Sequence, residues 1–587
     1  MSKTGTILFL LAMYCCSAKA QYYITGEVLD QENNPIQNVK IYLPSTRNIY
    51  NSGISGGFGI PSSKLRDSLI LTKSGYDSLK VLINTQEYQK LILKKNVEGL
   101  MLNAPKLVSL TRGIEGPLYP TSYYKGESYS SLVENDFIKT NNNYSTSFSM
   151  RIDKAAYSNI RRFINQNTKV PPDAVRIDEM MNYFEFNYQE PPEGNDFLLE
   201  SHLTDCPWNN ENMLLFINQS ARKLKLDNVP PSNFVFLIDV SGSMDQPARL
   251  PLLKQAFQLL VKNLREQDTV SIVVYGGFAG IWLTPTSGAE KEKISKSIEE
   301  LNAWGDTPGE AAIRIAYQLA RHTFMANGNN RIILATDGDF NIGQTSEKDL
   351  ETLIAREKES GVYLTCLGVG MGNYKDSKIE VLAKKGNGNF AYIDDIREAE
   401  KVLVTEFTQT IYSVAGDVYN TISFDTNAVK EYRLIGYDNI LSNISDGANE
   451  LEGGEIGSGS ENMIVFEIIP VSKENLKKSK KDFALLKVNY RLPEIKTQQS
   501  SMYSCPGNYL PFDSINNSLR FATAVMMYGL KLRESKFFPD ESWEKIQNIA
   551  NAALSPGNYL QEEFIKLVEK SQKIYSEKQK KRKKKNE

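Results

Sequence analysis

The sequence predicts a multidomain protein built around a central, doubly wound (Rossmann-like) α/β domain. Between residues 233 and 411, apolar strand-like runs alternate with helix-like stripes of apolar residues. This alternation is typical of an open parallel sheet with helices on both faces. The chain has 587 residues, whereas a domain usually holds roughly 100 to 200. We therefore expect further modules on both sides of the α/β domain.

Composition excludes several broad classes of protein. Hydrophobic residues make up 41% of the chain and charged residues 24%, a balance that indicates a folded soluble protein. The formal net charge of -2 gives no reason to expect a nucleic-acid partner, because phosphate binding requires a concentrated basic surface. His202 and His322 are the chain's two histidines, which leaves little material for a zinc site or a histidine-based catalytic triad.

Residues 1–20 have the features of a secretory signal peptide. Lys3 supplies a positive charge, residues 7–16 are apolar, and Ala18 and Ala20 stand at the two positions that a signal peptidase reads. The apolar run is shorter than the roughly 20 residues of a spanning helix, so cleavage is favoured over an uncleaved anchor. We expect an exported protein of the periplasm, the outer-membrane surface or the cell surface, with possible peripheral envelope association and an unknown oligomeric state.

The cysteines agree only weakly with export. A lipoprotein interpretation through Cys15 or Cys16 is disfavoured, because the residues before them suit that cleavage poorly. Three cysteines then remain, and an odd number cannot all pair within one chain. Cys366 lies in a strand-like apolar run and is expected to be a core thiol. Cys206 and Cys505 lie beside prolines, and the sequence leaves open whether they form a disulfide.

Residues 21–97 are predicted to form a small antiparallel β-sandwich, because short strand-like runs alternate with turn signals. The segments Gly26–Asp30, Pro35–Val39 and Gly56–Phe58, followed by Gly75 and Tyr76, resemble the carboxypeptidase-regulatory-like domain. That resemblance implies a spacer or binding module without a catalytic role. Residues 98–145 are rich in Tyr, Ser, Asn and Gly and are predicted to be a linker.

The regions on either side of the α/β domain are predicted to be parts of one structure. Residues 146–232 contain two helix-like segments and then strands, and residues 412–500 again read as strands. Each set of strands is too short to bury a sheet alone. We therefore expect 148–226 to pack against 423–493, with the α/β domain inserted between them. Residues 501–575 have helical apolar stripes, and residues 576–587 are predicted to be a solvated basic tail.

The α/β domain presents oxygen-bearing side chains where three of its segments end. In open parallel sheets, ligands bind beyond the carboxyl ends of the strands, so the loops after Ile238, Trp304 and Thr336 should converge. These loops supply carboxylates and hydroxyls, which are ligands for a hard cation such as Mg²⁺, or Mn²⁺ or Ca²⁺. The predicted metal ligands are Asp239, Ser241, Ser243, Thr307 and Asp337.

This set resembles the metal-ion-dependent adhesion site of the von Willebrand factor type A family. Residues 239–243 match its DxSxS segment, Thr307 its threonine, and Asp337 its distal aspartate, which often acts through water. The resemblance implies that the ion attracts an acidic residue of a protein partner. Asp306 departs from the family, which commonly has Gly or Ser there. Asp339 is interpreted as an outer group rather than a ligand.

The flanking regions resemble those of YfbK-like exported von Willebrand A proteins. The matching segments are Ser147–Asp153, Tyr157–Phe163, Pro171–Ile177, Asn182–Phe184, Cys206–Asn209, Tyr432–Tyr437 and Gly454–Gly457. We therefore expect a non-enzymatic, metal-dependent binding, adhesion or scaffold protein of the bacterial envelope. A magnesium-dependent hydrolase or phosphoryl-transfer enzyme is the alternative, as is a purely structural metal. An acidic loop of the chain itself, such as residues 450–455, is a further candidate occupant of the site.

Overall fold

The computed structural model describes residues 22–94 and 121–586, except for 32, 54, 63, 74–75, 125, 187, 226–228, 306–308, 339–346, 359, 373, 438, 441–452, 494–496 and 540–541. The predicted signal peptide lies outside the described residues. The chain divides into two compact units, residues 1–105 and 106–587. Across these described parts, no helix has the length and apolar character needed to cross a membrane.

The N-terminal unit is a β-sandwich. Its strands are β1 (Tyr22–Leu29), β2 (Lys40–Leu43), β3 (Asn48–Asn51), β4 (Gly57–Ser62), β5 (Arg66–Thr72), β6 (Leu79–Asn84) and β7 (Gln89–Ile92). They form the sheets β4–β1–β7 and β3–β2–β5–β6. Alternate residues such as Ile24, Val28, Leu69 and Leu71 are buried between the sheets, as the period of two along a strand requires. The fully antiparallel pattern expected here is wrong at one place, since β1 and β7 run parallel.

The second unit begins with strands and helices that precede the α/β domain. They are β8 (Thr121–Tyr124), β9 (Glu127–Ser130), β10 (Leu132–Val133), β11 (Ile138–Lys139), β12 (Ser145–Ser149), α1 (Ala155–Asn165), α2 (Ile177–Asn182), β13 (Phe197–Asp205) and β14 (Met213–Ala221). From residue 121 onward, the segment predicted as a linker is therefore folded. Tyr129 is fully buried, and Arg162 pairs with Glu127 at 2.8 Å. Glu127 and Arg162 lie far apart along the chain, so no local sequence pattern predicts their pairing.

The central α/β domain follows. Its elements are β15 (Ser232–Asp239), α3 (Leu250–Lys262), β16 (Thr269–Gly276), β17 (Phe278–Ser287), α4 (Lys291–Glu299), α5 (Gly309–His322), β18 (Asn329–Thr336), α6 (Glu347–Lys358), β19 (Val362–Val369), α7 (Asp376–Lys385), β20 (Phe390–Ile393), α8 (Ile396–Glu400) and α9 (Phe407–Ile411). The sheet order is β17–β16–β15–β18–β19–β20. All neighbours are parallel except β16 and β17, so the predicted fold class is confirmed.

Both faces of this sheet are covered by helices. Phe236 of β15 stacks on Phe257 of α3 with ring centroids 4.7 Å apart. The next residue, Leu237, faces the opposite core together with Ile313 and Tyr317 of α5. Successive residues of a strand point to opposite faces, which is why β15 is an uninterrupted apolar run. Strands β17 and β20 of this sheet were not predicted from the sequence.

The chain then returns to the flanking region. Its strands and short helix are β21 (Ser413–Phe424), β22 (Val429–Ile435), β23 (Asn439–Ile440), β24 (Gly454–Gly457), β25 (Glu461–Pro470), α10 (Lys473–Lys478), β26 (Asp482–Arg491) and β27 (Gln499–Pro506). They share the sheets β11–β22–β25–β14–β13 and β12–β21–β26–β27 with the strands before the α/β domain, and β24 pairs with β21. The predicted packing of the two flanks, with the α/β domain inserted between them, is confirmed.

The C-terminal part is helical, as predicted. Its helices are α11 (Asn517–Leu532), α12 (Trp543–Ala552) and α13 (Tyr559–Asn586). Phe521 of α11 and Phe564 of α13 pack against Phe184, so these helices share a core with α1 and α2. The basic run is not a separate tail, because α13 continues through it to Asn586. Lysine, arginine and glutamine are good helix formers, which permits this continuation.

Among the described residues, Cys206, Cys366 and Cys505 are free and buried. Cys206 lies in the core shared with the C-terminal helices, and its Sγ is 3.9 Å from Glu467 Oε1. Cys505 belongs to the core of the flanking sheets. The disulfide considered from the sequence is therefore absent, and all three behave as small apolar side chains.

Candidate metal centre

Four of the five predicted ligands meet at one edge of the central sheet. β15 and β18 are parallel neighbours, with Ile238 opposite Ala335, so Asp239 and Asp337 leave the sheet side by side. Ser241 Oγ donates to Asp239 Oδ1 at 2.6 Å, and Ser243 Oγ donates to Asp337 Oδ2 at 3.0 Å. The two serine Oγ atoms are 3.2 Å apart. The cluster thus presents four oxygen-bearing side chains linked in one chain of hydrogen bonds.

The fifth predicted ligand, Thr307, lies outside the described residues, as do Asp306 and Asp339. The chain that leads to Thr307 is nevertheless in place. The Trp304 amide donates to Val240 O at 2.7 Å, and the Gly242 amide donates to Gly305 O at 2.9 Å. The segment before Thr307 therefore runs directly against the loop that carries the two serines.

Local sequence explains why the first loop adopts this shape. Asp239 Oδ1 accepts from the Ser241 amide at 2.9 Å, an Asx-type turn in which the side chain stands in for a backbone acceptor. The short 3₁₀ turn Gly242–Met244 follows. The neighbouring strand must approach closely, because a Cβ at Gly276 would lie 2.4 Å from Val240 O. Glycine at that position allows the two chains to meet.

Electrostatics make the Asp239 carboxylate costly to bury in its charged form. Asp239 and Asp337 are both 0% exposed. Burial, together with the charge of Asp337, raises the pKa of Asp239 to about 7. Hydrogen bonds from Ser241 and from Thr336 Oγ1, at 2.9 Å from Asp239 Oδ2, oppose this rise without cancelling it. Buried carboxylates are stable only when they are paired or bound to a metal.

Arg249 is a member of this site that sequence reasoning missed. Its Nη1 donates to Asp337 Oδ2 and to Ser243 O, both at 2.6 Å, and its Nη2 donates to Met371 O at 2.8 Å. The guanidinium contributes one positive charge beside two carboxylates. An arginine just before a helix is common on protein surfaces, so the sequence contains no signal that would have singled it out.

The donor set fits a hard cation. Mg²⁺ and similar ions prefer oxygen ligands, and the site combines two carboxylates with two hydroxyls. In the part of the chain that the structure describes, no three His, Cys, Asp or Glu residues cluster as metal ligands. An ion held at this edge would therefore need the serine hydroxyls as ligands in addition to Asp239 and Asp337.

The loops that follow β15 and β18 and carry the predicted ligands, named here the metal loops, connect to the flanking region through residues after β19. The Gly372 amide, next to Met371, donates to Glu127 Oε1 at 2.7 Å, and Glu127 pairs with Arg162. A second buried pair joins Arg176 to Asp376 at 2.7 Å. The central domain is thus joined to its flank by the hydrogen bond from Gly372 to Glu127 and by the buried charge pair Arg176–Asp376.

The acidic loop suggested as an internal occupant lies elsewhere where it is described. Glu455 Oε1 is 2.7 Å from Arg331 Nη2, and both side chains are buried. Arg331 lies near the amino end of β18, whereas Asp337 follows its carboxyl end. Glu455 is therefore held at the end of the strands opposite to the one that carries Asp337. Residues 450–452 fall outside the described part.

Comparisons with known proteins identify the modules. A von Willebrand factor type A domain model matches residues 234–339, a von Willebrand factor model residues 123–216, and a model for the C-terminal region of the uncharacterized protein YfbK residues 409–574. Residues 123–216 fold here as strands and helices that precede the α/β sheet. The N-terminal sandwich keeps its carboxypeptidase-regulatory-like assignment as a prediction.

Individual proteins are also similar to this chain. The inter-alpha-trypsin inhibitor heavy chain H4 of Homo sapiens is 29% identical over 212 residues, which cover 34% of this chain and 22% of that protein. A solved von Willebrand factor type A structure from Catenulispora acidiphila is 15% identical, with a TM-score of 0.39, and the match covers 63% of this chain and 88% of that one. The uncharacterized protein YfbK of Escherichia coli (strain K12) is 35% identical over 508 residues, 82% of this chain and 87% of that protein. Because this last match spans most of both chains, the protein belongs to the YfbK family of von Willebrand factor type A domain proteins.

Proposed function

We propose that this protein is a non-enzymatic, divalent-metal-dependent binding or scaffold protein of the bacterial cell envelope, which captures an acidic residue of a protein partner. The observation that carries the proposal is the fully buried pair Asp239 and Asp337, joined through the hydroxyls of Ser241 and Ser243. A bound Mg²⁺, Mn²⁺ or Ca²⁺ would supply a positive centre with a coordination position open to a carboxylate.

The contacts of each side chain suggest how the ion would be held. Asp337 Oδ2 already accepts hydrogen bonds from Ser243 and Arg249, which suits contact with the ion through water. The serine hydroxyls and Asp239 are the candidates for direct ligands, with Thr307 as a further one. Because hydroxyls are neutral, this set leaves the ion with residual positive charge for an acidic ligand.

An enzymatic role has less support. An aspartate at the end of a parallel strand can act as a nucleophile. Here, however, Asp239 is buried, its Oδ1 accepts from Ser241, and its Oδ2 accepts from Thr336. Both oxygens are engaged, so this carboxylate is better suited to binding a cation than to attacking a substrate. A purely structural ion remains the second candidate, since the same cluster joins separate loops.

Location in the envelope rests on the predicted signal peptide, residues 1–20. The test is chemical crosslinking in native envelopes with Mg²⁺ or with EDTA, using wild type, Asp239→Ala and the control Asp245→Ala. Asp245 is an exposed acid two residues beyond Ser243. Crosslinked partners that disappear with EDTA and with Asp239→Ala support the proposal. Partners that are indifferent to both changes favour the structural role, and substrate turnover by the purified protein would support an enzyme.

A further inference from the structure

Two aromatic side chains beside the metal loops are exposed to solvent. Phe278 is 43% exposed and Trp304 is 51% exposed, and their ring centroids are 5.4 Å apart. Single exposed apolar residues are ordinary on protein surfaces, but contiguous ones mark interaction sites. The pair, named here the aromatic pair, is therefore a candidate contact surface.

The aromatic pair is built directly onto the metal loops. Phe278 follows the tight turn at the carboxyl end of β16, where Tyr275 lies opposite Asp239. Trp304 is anchored through its amide to Val240 O, and its ring covers Gly277, where a Cβ would lie 2.8 Å from the ring. Both side chains thus border the first metal loop on the side of β16 and β17.

An apolar side chain also borders the site on its other side. Met371 follows β19, beyond β18 and Asp337 in the sheet order. It is 38% exposed, and its carbonyl accepts from Arg249 Nη2 at 2.8 Å. The polar centre is therefore flanked by apolar surface in both directions, an arrangement typical of protein-binding patches that combine aromatic anchors with a few polar contacts.

We infer that the aromatic pair is the second half of the binding surface: it receives an aromatic or aliphatic side chain of a partner segment whose neighbouring acidic residue reaches the ion. The inference rests on the function proposed above. The occupant is an extended stretch of another protein with one carboxylate and one apolar side chain one or two residues away. The Trp304 amide is bonded to Val240 O, between Asp239 and Ser241 in the chain, so the aromatic pair adjoins the ligand cluster and a short spacing between the two side chains of the segment is required.

Charge supports the same occupant. With both carboxylates ionised, Asp239, Asp337 and Arg249 together carry a single negative charge, and a bound divalent ion would change it to a single positive charge. One carboxylate from a partner would then neutralise this single positive charge. A more acidic segment would gain little there, because the flanking surface formed by the aromatic pair is apolar and favours burial of an uncharged side chain.

The test is selection of peptides from a random phage-displayed library on the immobilised full chain in Mg²⁺. An enriched peptide is then synthesised, and its Kd is measured by fluorescence anisotropy with wild type, Phe278→Ala and Trp304→Ala. Phe324→Ala is the matched control, since Phe324 is 42% exposed and lies against Gly361 at the amino end of β19. Thermal melts verify that each variant is folded.

The expected result is a consensus with Asp or Glu within two residues of an aromatic or aliphatic residue. Its binding is lost in EDTA, weakened at least tenfold by each change in the aromatic pair, and unchanged by Phe324→Ala. An acidic, Mg²⁺-dependent consensus without an apolar neighbour, or one indifferent to the aromatic pair, overturns the inference and leaves the proposed function standing. Absence of any Mg²⁺-dependent acidic consensus overturns the inference and counts against the proposed function as well.

Discussion

Replacing Asp239 by asparagine should have opposite consequences with and without metal. The pKa of Asp239 rises from 3.8 to about 7 because of burial and the charge of Asp337. At pH 8 this carboxylate is ionised in both the folded and unfolded states, so the cost of burying its charge is fully present. A shift of about 3 pKa units at about 1.4 kcal/mol each corresponds to about 4 kcal/mol.

The neutral amide of the Asp239→Asn variant would avoid that cost but lose part of the acceptor capacity. Asp239 accepts from Ser241 on one oxygen and from Thr336 on the other, and an unsatisfied buried donor costs about 1–3 kcal/mol. In EDTA at pH 8, the variant should therefore be at least as stable as wild type. In Mg²⁺ at about a thousandfold above its Kd, wild type should gain about 4 kcal/mol by mass action, and the variant should gain almost nothing.

Urea unfolding followed by tryptophan fluorescence measures the free energies of unfolding of wild type and Asp239→Asn, each in EDTA and in Mg²⁺. Asp245→Asn is the control, because Asp245 is exposed in the same loop and should leave the gain from Mg²⁺ intact. Two results would refute the reasoning. A variant clearly less stable than wild type in EDTA would show that the buried charge is not destabilising, and a full gain from Mg²⁺ in the variant would show that Asp239 does not bind the ion.

Three further outcomes follow from buried charges. Arg249→Met should tighten Mg²⁺ binding about tenfold in a calorimetric titration, because a positive charge leaves the site. The same change should lower the melting temperature in EDTA. An unchanged Mg²⁺ affinity would contradict the placement of the guanidinium on Asp337. Arg331→Met should lower the free energy of unfolding by about 3–5 kcal/mol, because it leaves Glu455 buried and unpaired. Adding Glu455→Gln should recover most of that loss. Equal losses in the single and double variants would show that the pair is uncoupled. Burial acts to raise the pKa of Glu406, but two neighbouring lysines outweigh it and hold the pKa at about 2. Its contribution of about 3 kcal/mol is therefore present above pH 4.5 and lost as the pH falls toward 2, so the deficit of Glu406→Gln in urea unfolding should shrink over that window; a constant deficit would mean that the carboxylate's charge is not responsible.

The pattern of apolar runs and helical stripes in the sequence was enough to predict the fold of the central domain and the edge of the sheet at which the candidate site lies. Uninterrupted apolar runs such as β15 require burial on both faces, and the helical stripes between them supply the cover. Parallel strands then bring their carboxyl ends to one edge, so that Asp239 and Asp337 could be expected together although they lie 98 positions apart in the chain. The short strand sets on either side, each unable to bury a sheet alone, likewise predicted that the flanks combine.

Several features were beyond any local pattern. The strands from residue 121 onward looked like a polar linker, since Glu127 and Tyr129 are buried by contacts with α1 and with the chain after β19, which are distant in sequence. The edge strand β17 is largely exposed and so lacks the apolar signal of the inner strands. The continuation of α13 through the basic run was missed because charge runs are more often solvated ends.

What the sequence alone determined is therefore the kind of the strongly periodic elements, the face each of them buries and the loops that carry the oxygen-bearing side chains, because these depend on periodicity along a short stretch of chain. Only the tertiary structure decided which charges meet: Arg249 with Asp337, and Arg331 with Glu455. The same is true of the exposed aromatic pair beside the metal loops. Such contacts depend on the packing of elements distant in sequence, and a side chain's type and neighbours along the chain do not specify its partner in space.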